Sequence, residues 1–199
     1  VRANPYLSAG SAFWHSDVKS RITFAIESDW SSAVKTQLSA RHERVDMYAL
    51  PADPFGTGIW QFAYAGTTFL KFQAEGFAKL TPNDYVSATA AVNSTKNSIS
   101  QGAVPYLPEF ELGGSYSRAF PFGVALRSRL SYHHQRETDI LLSQKLPGFF
   151  LLGVRADYEL WSSLRVFLDL HNITDKKYEF WKGYQASPFM LTAGVSVRW

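Results

Sequence analysis

Of 199 residues none is cysteine and only two are methionine. The missing thiols exclude a disulfide scaffold, a cysteine-based metal site and a thiol nucleophile. No window holds about 18 consecutive apolar residues, which excludes a membrane-spanning helix. It does not exclude the membrane, because a barrel strand hides its hydrophobicity in alternation. Blocks of one charge are missing too: 20 Lys and Arg and 17 Asp and Glu are spread along the chain for a net +3, which offers nucleic acid no basic patch. No charged-then-apolar leader follows Val1, so a secretory signal is expected to have been removed or to lie upstream.

Aromatic residues, by contrast, make up 16% of the chain, and alternation is pervasive. Near the C-terminus Leu164, Val166, Leu168 and Leu170 alternate with Arg165, Phe167, Asp169 and His171. After a long loop, Phe189, Leu191, Ala193, Val195, Val197 and Trp199 alternate with Met190, Thr192, Gly194, Ser196 and Arg198. One unbroken apolar face opposite a polar or charged one requires an apolar medium on one side and a polar interior on the other.

The same pattern runs through the chain. Strands are expected over Leu7–His15, Arg21–Ser28, Val34 to about Tyr48, Ile59–Leu80, Tyr85–Asn93, Glu109–Phe120, Val124–Arg136, Phe149–Leu160, Leu164–His171 and Phe189–Trp199. Short turns at Asp29–Ser32, Thr81–Asp84, Ala119–Gly123 and Trp161–Ser163 mostly alternate with longer loops at Leu50–Gly58, Ser94–Pro108, Glu137–Pro147 and Asn172–Pro188. Outer-membrane barrels show this asymmetry, with short periplasmic turns and long extracellular loops. Aromatics cluster at both ends: Trp30, Phe120, Phe122, Trp161 and Trp199 beside the short turns, and Trp14, Trp60, Phe62, Tyr64, Tyr132, Phe149 and Phe189 towards the long loops, as interfacial girdles would. The expected fold is therefore all-β, an antiparallel transmembrane β-barrel with about ten strands in this chain. A soluble sandwich also alternates, but its non-core face need not carry charges so regularly. Residues 1–199 read as a single barrel domain or as the C-terminal part of a larger barrel. An even strand number satisfies both.

The inward face is expected to carry a charge network built on Arg127, Arg129, Arg155, Asp157, Glu159, Arg165 and Asp169, because ionised groups in a lumen must be paired or hydrated. Asp169 and His171 share a face, as an acid/base or metal pair would, yet no third group is placed beside them, and a lumen hydrogen-bonding pair is the simpler reading. His133 and His134 point to opposite faces, which argues against joint ligation of one ion. No catalytic residue, metal site or cofactor is expected.

Within the terminal stretch, Asn172-Ile173-Thr174-Asp175-Lys176-Lys177-Tyr178, then Gly183-Tyr184, Pro188 and the closing Gly194, Val197 and Trp199 resemble the end of a TonB-dependent outer-membrane receptor. Asn172 and Asp175 suit side-chain-to-backbone bonds that turn the chain out of a strand. Gly66–Gly76 resembles the long strand bearing a Gly-x-Glu element in these receptors, here with the order Glu75-Gly76, and Pro105–Tyr116 resembles a Pro-led strand ending in Tyr. Phe189-Met190 departs from the Gly-Arg often found after the proline.

The resemblance implies a barrel of about 22 strands, import of ferric siderophores or similar scarce nutrients, and a plug domain through which TonB acts. This stretch has no room for the plug. Gly194, Val197 and Trp199 would form the signal read by the barrel-assembly machinery, and outer-membrane lipid would surround the strands. Ligand contact would fall in the loop around Lys176, Tyr178, Phe180, Trp181, Lys182 and Tyr184. The alternative for that loop is an interfacial anchor in which Tyr178, Phe180 and Trp181 sit at the lipid boundary. The functional alternatives are a small stand-alone barrel with a structural or narrow-pore role and, third, a barrel-borne hydrolase.

Overall fold

The computed structural model describes residues 18–52, 61–141 and 144–197. In chain order the strands are β1 (Val18–Asp29), β2 (Val34–Ala52), β3 (Gln61–Thr81), β4 (Asp84–Asn97), β5 (Phe110–Ala119), β6 (Val124–His133), β7 (Arg136–Glu137), β8 (Lys145–Leu146), β9 (Phe149–Trp161), β10 (Leu164–His171), β11 (Glu179–Trp181), β12 (Tyr184–Gln185) and β13 (Met190–Val197). Nine of them form one antiparallel sheet in the order β1-β2-β3-β4-β5-β6-β9-β10-β13, while β7-β8 and β11-β12 are separate small hairpins. Among the described residues no helix is long and apolar enough to cross a membrane.

Nine of the ten expected strands lie in this sheet. The tenth, Leu7–His15, falls outside the described residues, as do Trp14, Trp60, Arg198 and Trp199. All four short turns are present. The Trp30 and Ser31 amides donate to the Val34 carbonyl at the first (3.0 and 3.3 Å), and Gly123, at φ 83°, closes the third. Two long loops contain more structure than expected. Glu137–Pro147 holds most of the β7-β8 hairpin, and Asn172–Pro188 holds β11-β12, with the positive φ of Gly183 at its tip.

Cross-strand register assigns the faces. Phe24, Ala40, Phe72, Val92 and Phe110 form one continuous row across five strands. Parallel to it on the opposite face run Asp169, Arg155, Arg127, Ser117, Tyr85 and Lys79. The apolar face is bare: Phe24 is 70% exposed, Ile26 66% and Val195 63%. Aqueous surfaces do not tolerate so large a contiguous apolar patch. Lipid fits it, because a hydrocarbon medium solvates the side chains while the strand ladders satisfy the backbone.

One departure from simple alternation matters. β2 pairs with β3 through a bulge between Val45 and Tyr48, so Val45 faces Thr67 and Tyr48 faces Ala65. The extra residue reverses the phase of β2. Below the bulge the odd-numbered residues Lys35, Gln37, Arg41 and Glu43 face the polar side; above it the even-numbered Tyr48, Leu50 and Ala52 do. Strand β2 therefore continues through Leu50 and Pro51, where turn residues suggest a loop.

The phase assigned to β10 makes a quantitative prediction. Leu168, opposite Ala156 and Ala193, lies on the lipid face. Leu168→Arg is expected to cost about 2–4 kcal/mol if the residue sits near mid-membrane, measured by reversible refolding into lipid bilayers; no loss would reverse the face assignment.

Candidate functional site on the polar face

Below the level of the long loops the polar face is a set of ion pairs. Arg21 makes a two-pronged contact with Glu43 (2.9 and 3.1 Å), and Arg41 bonds the same carboxylate. Lys35 lies 3.2 Å from Asp29. Across β6, β9 and β10, Arg129 donates to Asp169 at 2.6 Å, Arg155 bonds Asp157 through two nitrogens at 2.9 Å and also lies 3.8 Å from Asp169. Arg165 is 3.7 Å from Glu159. Four of the seven expected network residues thus form one chain of contact, Arg129–Asp169–Arg155–Asp157, and Arg165 with Glu159 forms a looser pair.

Arg127 is opposite Arg155 in register and makes no ion pair among the described residues, so its charge is balanced only at longer range. The Arg155 guanidinium also lies 4.3 Å from the centre of the Phe167 ring. That ring in turn covers Gly194, where an added Cβ would sit 2.5 Å from it. Gly194 therefore has a local packing reason on the polar face: it is the space the ring occupies.

Towards the long loops the polar face becomes apolar and covered. Leu50, Ala52 and Ala65 are buried against Val104 of the β4-β5 loop and Ile140 of the β7-β8 hairpin, with Tyr48, Phe69 and Leu107 beside them. A second cluster joins Phe149 and Leu151 of β9 to Tyr178. Between the loops sits Arg136, which is 4% exposed. Its guanidinium lies over the Phe149 and Phe180 rings at 5.1 and 5.8 Å and donates to the Glu179 carbonyl. Such a stack suits Arg, whose planar, weakly hydrated cation tolerates burial against aromatic faces.

Tyr106 completes the assembly. Its amide donates to the Glu137 carbonyl at 2.7 Å, and its ring packs on Trp181 with centroids 4.3 Å apart. Burial pushes its phenol up to about 12, reinforced by the Asp139 and Glu179 carboxylates and opposed by the Lys182 backbone and Arg136. Lys182 donates to Gln144, tying β11-β12 to the β7-β8 hairpin. Three long loops are thereby one packed unit over the polar face.

The chain reaches this unit through Asn172, fully buried and at φ 50°. Its side-chain amide donates to the Lys176 carbonyl (2.9 Å) and accepts from the Lys176 amide (3.0 Å), while the Asp175 carboxylate accepts from the Phe189 amide (2.9 Å). The Asn-Ile-Thr-Asp motif is a clasp that closes the base of the loop.

Within the expected ligand loop, Tyr178 is buried on Phe149, Phe180 stands edge-on to both, and Lys182 is tied to Gln144. Trp181 and Tyr184 are exposed at 54% and 42%, and Lys176 is exposed. Tyr178 and Phe180 pack against residues of the polar face, with the Phe180 ring 6.2 Å from His133, while Phe180 itself stays 45% exposed. Phe149 likewise faces inward instead of joining a girdle.

His133 bonds Glu111 at 2.9 Å, and His134 bonds the Tyr132 hydroxyl at 3.0 Å. Among the described residues no group of three His, Cys, Asp or Glu side chains could hold a metal ion. Gly194 and Val197 of the expected assembly signal lie in β13. Arg136 and Tyr106 escaped the sequence reading, because both sit where alternation stops.

The antiparallel sheet, its lipid face and its alternation of short turns and long loops define an outer-membrane β-barrel, turns periplasmic and loops extracellular. Among solved structures the fold is similar to that of transporters and receptors of the outer membrane. The chain superposes on the copper transporter OprC (TM-score 0.73, 15% identity, 89% of this chain and 30% of that one). It also superposes on the FrpB iron transporter from Neisseria meningitidis (0.70, 10%, 89% and 30%) and on the pyoverdine outer membrane receptor FpvA from Pseudomonas aeruginosa PAO1 (0.65, 13%, 90% and 30%). At these identities the likeness is one of fold, and this chain spans about 30% of the length of each. These neighbours are transporters and a receptor. No family model and no curated protein sequence matches the chain.

Two predictions follow from the site. Arg155→Glu would set a third carboxylate beside Asp157 and Asp169, so it should lower the heat stability of the folded band on gels far more than Lys177→Glu in the exposed loop; equal behaviour would remove the network's structural role. For Tyr106, a phenol raised from about 10 to about 12 in the fold binds its proton more tightly folded than unfolded. The loop unit should therefore be fully stable below pH of about 10 and lose stability as pH rises towards 12. Ultraviolet titration of tyrosinate against Tyr106→Phe reads this directly, and an ordinary tyrosine titration in both would contradict it.

Proposed function

We propose that this chain is the C-terminal barrel portion of a TonB-dependent receptor in the bacterial outer membrane, contributing to uptake of a scarce nutrient such as a ferric siderophore. The observation that carries the reading is the packed loop unit. It closes over the polar face while Trp181 and Tyr184 stay exposed, as does Lys176 at the base of the same loop, with Lys182 next to Trp181 in the chain. Rigid aromatics beside ammonium groups suit an anionic chelate with flat rings, bound by stacking and charge. The plug and its contact with TonB would be supplied by a part of the protein beyond this chain, and the barrel-assembly machinery would read Gly194, Val197 and Trp199.

The test is growth under iron limitation with single ferric siderophores supplied, comparing the parent, a strain lacking the gene, and complementation with wild type or Trp181→Ala. The gene should be required for growth on at least one chelate, and Trp181→Ala should raise the half-maximal concentration by roughly tenfold, as for loss of an aromatic anchor. Unchanged growth on every chelate, together with steady ohmic conductance of the purified protein in a planar bilayer, would replace this reading with a stand-alone pore.

A further inference from the structure

We propose that Arg44, Thr68 and Lys96 form a binding site on the lipid-facing wall for the phosphate of an outer-leaflet lipid. The inference rests on the membrane-spanning barrel and not on the nutrient imported. Register places the three residues in one row, Arg44 opposite Thr68 and Thr68 opposite Lys96, on the face that also carries Phe24, Phe72 and Val92. Arg44 and Lys96 are exposed. Strands are spaced by about 4.8 Å, so the two cations rise from backbones about 10 Å apart with a hydroxyl between them. That separation lets both long side chains reach one phosphate.

The surroundings select the ligand. On the apolar face of β5, β6, β9, β10 and β13 the only basic residue described is Arg118, and it has a counter-ion, Asp84, at 3.7 Å. Arg44 and Lys96 form no ion pair among the described residues, and the nearby Asp46 is engaged by Lys19 at 3.2 Å. An unmatched pair of cations on a wall in contact with lipid requires an anion from the lipid.

Depth points the same way. Arg44 is ten residues along β2 from Val34, which pairs with Ala78 beside a short turn, and Lys96 is ten along β4 from Val86 on the same row. Ten residues are about 33 Å of strand, or roughly 25 Å along the membrane normal at a tilt of about 40°, the height of the apolar band. Trp30, Phe122 and Trp161 mark the periplasmic margin, so the cations stand at the extracellular one. Leu70 and Phe72 below them offer acyl-chain contact, which a soluble phosphate would not use.

The experiment uses the protein carrying this chain, extracted from outer membranes in mild detergent and equilibrated with mixed micelles containing a diphosphorylated glycolipid. Lipid retained per protein is read by native mass spectrometry. Arg44→Ala and Lys96→Ala should each lower affinity by about fivefold, the effect expected of one cation at a charged membrane surface, while Lys177→Ala leaves it unchanged. The exchange variant Arg44→Lys with Lys96→Arg, which keeps the charge and the fold, should retain the lipid. Retention by the doubly neutralised protein equal to wild type would overturn the proposal. So would displacement of the glycolipid from wild type by an equal concentration of inorganic phosphate, which would mark a soluble-anion site.

Discussion

In hydrocarbon an unpaired backbone amide or carbonyl costs several kcal/mol, and this requirement governs nearly every feature of the sheet. Neighbouring strands are joined by ladders of nearly unbroken register, such as the eight successive pairs between β10 and β13. The connections nearest the periplasm are held to tight turns whose own amides are satisfied, as at Trp30 and Gly123. Only once the backbone is satisfied do the side chains become free to serve two media, one row to lipid and the next to the interior.

The two faces solve opposite problems. Towards lipid the side chains need only be apolar, and their packing is left to the acyl chains. Towards the interior, charges lie side by side on neighbouring strands and neutralise one another, so Asp169 gathers both Arg129 and Arg155. Farther up, where the face would open to the exterior, the charges give way to Leu50, Phe149 and Leu151, and the loops supply the cover. Arg136 is the exception that joins the two regimes: a cation held by aromatic rings and one carbonyl, without a carboxylate contact among the described residues.

Much of this is legible in the chain because a period of two is hard to imitate. The strands from β1 to β13 in the main sheet, the short turns and the bonding roles of Asn172 and Asp175 follow from local chemistry alone. The loop unit does not. An inward Phe149 and an outward Phe150 look alike to an alternation argument, and only the arrival of Tyr178 from a distant loop decides which is buried. Tyr106 and Arg136 likewise depend on partners from segments far apart in the chain. The bulge in β2 escaped for the opposite reason: it is local, but Val45, Asp46, Met47 and Tyr48 contain no glycine or proline to mark it.

That bulge separates two selection regimes within one strand. Residues below it answer to the bilayer and to the ion pairs; residues above it answer to the loops, and the single additional position uncouples their parities. What must be preserved there is a length and not a side chain. Substitutions at Asp46 or Met47 leave the frame intact, whereas an insertion or deletion of one residue would turn Leu50 outward and Ala49 inward, exchanging the floor of the loop unit with the wall of the barrel. The loops of this protein can therefore diversify by length wherever they are tethered at their bases, but the joint beneath them cannot.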